Sequence, residues 1–333
     1  MAAFVAERDS IWRLELEPVV SAGEAARRNV YLLTGALPTL IDPGPAQAAG
    51  QVLDALAALG LGARDISRIL LTSPEPDAAG AVTAFTHAVI RSGAAGLAAP
   101  DPLVASHRGL VARLARELVE AGLSGLAVEL DRDTRLATAG PAVTAQPLGD
   151  GELLLAGDLR LVAQPARGIA HAGILFGTVD GAWLWPGELG VIGDDLPVAD
   201  FAAYTNTLAS MTAGPVPERL FPARRSPELD GKTAFRGLAL RSSNLVSNLP
   251  FVVEKPRSLR DIYLSDTGYW PDDAVKAAWT LTRLHLALSE LTRAGVIHAS
   301  ARDGSLLHRV YGLVPDVAPG PRSGSTLTTR QTG

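Results

Sequence analysis

The amino-acid sequence predicts a four-layer αββα sandwich followed by a small helical module. Two strand-rich halves, each flanked by helical stretches, carry the first part of that reading. A run of helix, strand, Asp-Gly turn and strand near the C-terminus carries the second. The chain has 333 residues, more than one core usually holds. That suits a large domain over residues 1–235, a smaller one over 236–313, and a tail from 314 to 333.

In the first half, Ile11 to Leu16 alternates apolar and polar residues, as a half-buried strand does. Asn29 to Leu33 and Thr39 to Ile41 read as two strands joined by a turn containing Gly35. The second strand stops at Asp42-Pro43-Gly44. Ala46 to Leu59 reads as a helix, with Val52, Leu53, Leu56 and Leu59 on one face and Gly60 and Gly62 ending it. Ile69 to Thr72 is a short buried strand, and Ala78 to Ile90 is expected to be helical.

The second half opens with an amphipathic helical stretch from Pro102 to Ala121. Strand-like runs follow at Leu126–Leu130, Ala142–Gln146, Leu153–Leu155, Leu159–Ala163, Ile174–Val179 and Trp183–Trp185. Ala199 to Met211 reads as a helix, and Arg219 to Pro222 as a last strand. A single doubly wound sheet would instead alternate one strand with one helix.

Beyond that, Arg236 to Asn248 reads as a helix, and Ser258 as the N-cap of another. Asp272 to Ala294 is a longer helix, with Val275, Trp279, Leu281, Leu284, Leu288 and Leu291 at helical spacings. Gly295 ends it, and two strands around Arg302-Asp303-Gly304 complete the recipe of a winged helix. The last residues are rich in Gly, Pro, Ser and Thr, a composition expected to stay disordered.

Composition excludes several chemistries. Cysteine is absent, which removes disulfides, thiol nucleophiles and cysteine-held metals together. The net charge of −5 gives no global basic field for nucleic acid or an anionic membrane. No apolar run approaches the ~20 residues of a membrane span, and the expected location is the cytoplasm.

The motifs are more specific. Asn29, Tyr31 and Leu32 are followed by Asp42-Pro43-Gly44, then Gly60-Leu61 and Asp65-Ile66, then Thr72-Ser73-Pro74-Glu75-Pro76-Asp77-Ala78. Downstream come Pro165-Ala166-Arg167, Pro186-Gly187-Glu188 and Pro222-Ala223-Arg224. In order and spacing this series resembles the metallo-β-lactamase fold, over roughly residues 10 to 230. The family pattern there reads T-H-x-H-x-D-H. The resemblance therefore puts Ser73, Glu75 and Ala78 at histidine positions and leaves Asp77 as the surviving acid. It likewise puts Arg167 and Arg224 at two further histidine positions, and Glu188 at that of a bridging aspartate. The C-terminal string LTRLHLALSELTRAGVI resembles the module on a subgroup of these hydrolases related to human β-lactamase-like protein 2.

This resemblance implies a site without its metal ligands. The six histidines, His87, His107, His171, His285, His298 and His308, all fall outside the ligand positions, with His171 a candidate for the rim. Zinc needs imidazole, thiolate or carboxylate donors, and a guanidinium cannot be a ligand. The expectation is no metal, with arginines pairing with the remaining acids. Two functions follow. One is a pseudoenzyme binding a small molecule or protein partner in the old cleft. The other is a hydrolase of esters, thioesters or lactones that uses zinc or another divalent ion in a rearranged site. Base readout by the C-terminal module is disfavoured, because its long helix lacks a basic stripe.

Overall fold

Strand alternation places the layers. A computed structural model describes residues 3–16, 28–73, 76–93, 112, 114–116, 118–132, 144–168, 173–187, 189, 198, 200–213, 216–224, 226–227, 230–268, 274–301 and 309–314. Seven strands form the first sheet in chain order: β1 (Val5–Arg8), β2 (Ile11–Leu16), β3 (Arg28–Leu33), β4 (Thr39–Ile41), β5 (Arg68–Leu70), β6 (Val89–Gly93) and β7 (Gln146–Leu148). Pairing is antiparallel as far as β4 and parallel from β4 to β7. The second sheet comprises β8 (Leu153–Ala156), β9 (Leu159–Ala166), β10 (Gly173–Thr178), β11 (Trp183–Gly187) and β12 (Arg219–Pro222), in the spatial order β12-β11-β10-β9-β8. Its β11–β12 pair is parallel.

Successive side chains on a strand point to opposite faces. On β3, Tyr31 and Leu33 therefore enter the core between the sheets, where they meet Leu161, Phe176, Trp185 and Phe221. Val30 and Leu32 face the other way, onto Val52 and Leu56 of α1 (Ala49–Ala58). The second sheet turns Leu175, Leu184 and Leu220 outward onto Phe201, Tyr204 and Leu208 of α4 (Phe201–Ala213). This makes four layers, helix on sheet on sheet on helix, as the sequence implies.

Two stretches differ from expectation. Ala78 to Ile90 is not one helix. A single turn, α2 (Pro76–Ala79), and a 3-10 stretch (Gly80–Ala84) precede β6, which holds the β-branched pair Val89-Ile90. Leu126 to Leu130 is helical rather than a strand, within α3 (Ser124–Arg132). There Leu126, Ala127 and Leu130 meet the core while Val128 and Glu129 are exposed, which is the spacing of a helix face.

The C-terminal part begins at α5 (Gly231–Val252), capped by Asp230 accepting from the Thr233 N–H, and this helix spans the boundary expected at residue 235. Then come β13 (Arg257–Ser258), α6 (Leu259–Thr267), α7 (Ala274–Arg293), β14 (Ile297–Ala301) and β15 (Arg309–Leu313), with the strands ordered β13-β15-β14. Ser258 caps α6 through a reciprocal bond pair with Asp261. Leu281, Leu284 and Leu288 of α7 and Phe235 and Leu238 of α5 belong to the same apolar cluster as α4 and the second sheet. Of the described side chains of α7, nine from Ala277 to Leu291 are buried, while Arg283, His285, Leu286, Ser289, Glu290 and Thr292 are partly buried and Arg293 is exposed. No helix among the described residues is long and apolar enough to cross a membrane. Of the tail expected over 314–333, Val314 donates to Val296 O and residues 315–333 lie outside the described residues.

Candidate functional site

The motif residues meet at one end of the sandwich, and backbone bonds draw them together. Asp42 directly follows β4 with a positive φ of 50°, sparsely populated for a non-glycine residue but tolerated by Asp. Its carboxylate accepts from the Thr72 N–H at 2.8 Å and the Thr72 hydroxyl at 2.5 Å. The loop of residues 42–44 is tied to α2: the Gly44 N–H donates to Ala78 O at 3.0 Å, and the Ala81 N–H donates to Gly44 O at 2.9 Å.

Thr72 is the hub. Its carbonyl accepts from the Ile174 N–H at 2.8 Å, joining the start of β10, which pairs with the end of β9 at Ala166. On another side lies Gly187, with φ +56°, where an added Cβ would stand 2.5 Å from the Thr72 hydroxyl oxygen. Only glycine gives both that conformation and that approach. Gly187 O accepts from the Ala223 N–H at 3.3 Å, and Ala223 O accepts from the Asn29 N–H at 2.7 Å. Pro222 O takes two side-chain donors, the Asn29 amide at 2.9 Å and the Tyr31 hydroxyl at 2.8 Å. Burial pushes the Tyr31 phenol well above its ordinary pKa, so it stays a neutral donor.

So the loops carrying Asp42, Thr72-Ser73, Ala78, Ala166-Arg167, Gly187 and Ala223-Arg224 share one centre. Ser73 is buried and held by a contact of its own, and Ala78 is fully buried. Arg224 is half-buried and engaged. Arg167 is exposed, and its side chain makes no ion pair with a described residue. Asp77 is placed by its backbone in α2, while Glu75, His171 and Glu188 lie outside the described residues. The acid–arginine pairs expected around them lie outside the described residues with them.

Arg28, which the motif series does not include, is the cation the structure places at the base of this frame. Its guanidinium is 3.4 Å from Asp42 Oδ2, and both side chains are almost wholly buried. Thr72 and Arg28 together satisfy a carboxylate that would otherwise be costly to bury. A signal was present in the sequence: a strand whose other described residues are almost all apolar opens on an arginine. Nearby, Arg13 bonds Glu7 at 2.8 Å and Glu15 at 3.2 Å, and Arg219 reaches Glu7 at 3.5 Å.

At two positions where the family resemblance puts histidine, Ser73 offers a hydroxyl and Ala78 a methyl, neither of them an ordinary zinc donor. Among the described residues, no group of three or more His, Cys, Asp or Glu could hold a metal ion. His87 precedes β6 at the opposite end of the sheet from this centre, and His285 and His298 lie in the C-terminal part.

Known proteins agree with this architecture. A metallo-β-lactamase family protein from Thermus thermophilus superposes with a TM-score of 0.71 at 20% identity, over 93% of this chain and 100% of that one. A β-lactamase domain protein from Burkholderia ambifaria gives 0.70 at 16% identity, over 93% of each chain. At such identities the likeness is one of fold. It extends past residue 224, because the overlap is longer than the family match described next. No curated protein matches the chain in sequence. The family model described as the metallo-beta-lactamase superfamily matches residues 24–224. From that match, and from the frame that Asp42, Thr72 and Gly187 build, the chain belongs to the metallo-beta-lactamase superfamily.

Proposed function

We propose that this chain is a non-catalytic or strongly altered member of its superfamily, binding a small molecule or a partner in the old active-site cleft. The observation that carries this reading is the intact frame around changed ligand positions, with Ser73 and Ala78 standing where the family pattern has histidine. Zinc generates a hydroxide near neutral pH by lowering the pKa of its bound water. Nothing described in this cleft does the same for a water. Ser73 has no histidine within the motif to act as its base.

On this reading the C-terminal part is a winged-helix-like module used as scaffold. Its order of helix, strand, helix, helix, strand, strand supports the resemblance. The packing of Leu281, Leu284 and Leu288 of α7 into the cluster shared with α4 and the second sheet supports the scaffold role. No nucleic acid and no membrane belong to the reading, and a cytoplasmic location suits the absence of cysteine.

Elemental analysis after mild purification tests the proposal, together with a panel of ester, thioester and lactone substrates. The expected result is fewer than about one tightly bound transition metal per ten chains, given the donor types at these positions, and no turnover. Stoichiometric zinc, iron or manganese with turnover would establish the hydrolase instead.

A further inference from the structure

We propose that the cleft receives a small molecule bearing an oxyanion, a carboxylate or a phosphate, and that Arg167 is the side chain that meets it. This rests on the reading of the cleft as a binding site. Arg167 directly follows Ala166, the last residue of β9. It leaves the sandwich at the centre defined above, since Ala166 pairs with Gly173 and the next residue, Ile174, donates to Thr72 O.

The arginine's base is fixed although its tip is exposed. Arg167 O accepts from the Thr207 hydroxyl of α4 at 2.9 Å. Gly168 O accepts from the Asp200 N–H at 3.2 Å. Gly168 has φ +88° and lies against the backbone of Tyr204 and Asp200, where a Cβ would have no room. The backbone is therefore clamped onto α4 while the guanidinium faces solvent.

Charge accounting separates Arg167 from its neighbours. Arg13 is answered by Glu7 and Glu15, Arg28 by Asp42, and Arg219 by Glu7. Arg224 is engaged. Arg167 is exposed, and the side chains of Glu75, Asp77 and Glu188 lie outside the described residues. A guanidinium keeps its charge at any working pH and offers two parallel N–H donors to the two oxygens of a carboxylate or phosphate. Holding its backbone in place lowers the ordering cost of such a contact.

The test is calorimetric titration of the full chain and of Arg167→Gln with inorganic phosphate and, separately, with acetate at low chloride. Melting temperature and metal content are measured on the same preparations. One of the anions should bind the natural protein, more weakly as chloride rises, and Arg167→Gln should lose at least about tenfold in affinity with an unchanged melt. Preference for phosphate or acetate identifies the group. Absence of binding for both anions, or equal binding by Arg167→Gln, overturns the proposal. Bound metal with ester turnover would overturn the non-catalytic reading, yet a loss of anion binding in Arg167→Gln would still leave the Arg167 site standing.

Discussion

The two outer faces of the sandwich are covered from different parts of the chain. The first sheet is covered by α1 and the 3-10 stretch, which arise between its own strands, so Val52, Leu56 and Phe85 meet Leu32 and Ile69 within a short span of sequence. The second sheet relies on α4, which lies between β11 and β12, and on α5 and α7, which follow the last strand of the sandwich. One half is self-sufficient and the other borrows. The C-terminal helices thus complete a layer of the fold.

Truncation should separate the halves most strongly. A chain ending at Val253 loses Leu281, Leu284 and Leu288, each worth about 1.5–3 kcal/mol of burial, against a total stability of about 5–15 kcal/mol. It also leaves Phe201, Tyr204 and Leu208 with an open flank. Aggregation on size exclusion and loss of a cooperative thermal transition are expected. A truncated chain melting like the full protein would show that α7 covers nothing essential.

A smaller effect sharpens the comparison inside the self-covered half. Arg28→Met removes the guanidinium 3.4 Å from the buried Asp42 carboxylate, at an expected cost of about 3–5 kcal/mol. Arg167→Gln, at an exposed position, should change stability by no more than about 0.5 kcal/mol. Denaturant unfolding of the two variants checks the order, and a reversed ranking would move the site's charge support from Arg28 to Arg167.

Much of this was legible in sequence, for identifiable reasons. β2, β4 and β12 have the bounds that alternation and Gly/Pro punctuation give them. The frame was legible because its turns need particular residues: Asp42 to bind Thr72, Gly187 to admit it. Leu126 to Leu130 misled because a five-residue stretch, four of them apolar, has too few turns to reveal its period. Arg28 was missed because it belongs to no motif, and because its partner Asp42 becomes its neighbour only when β3 pairs with β4. What covers α7 was equally illegible, since amphipathic spacing identifies one buried face and does not name the elements packed against it.

The smallest effect concerns the link between the sheets. Glu152, between β7 and β8, accepts from the Gly149 N–H at 2.9 Å and pairs with Arg91. These contacts, the backbone bond foremost, hold its carboxyl below the ordinary range. A carboxyl whose pKa falls on folding stabilises the fold above its unfolded value, about 4.3. That contribution disappears as pH falls through the lower folded value. The side chain is one-third exposed, so the gain is small. Melting temperature should fall less steeply below about pH 4 in Glu152→Gln than in the natural chain. Identical acid limbs would remove Glu152 from the link.

Ala78 has one more consequence. Its carbonyl holds the Gly44 N–H, and that bond is indifferent to what its side chain is. A joint made of peptide groups holds its loop without drawing on the adjoining side chain, so the shape of this corner and the chemistry beside it are set by different atoms.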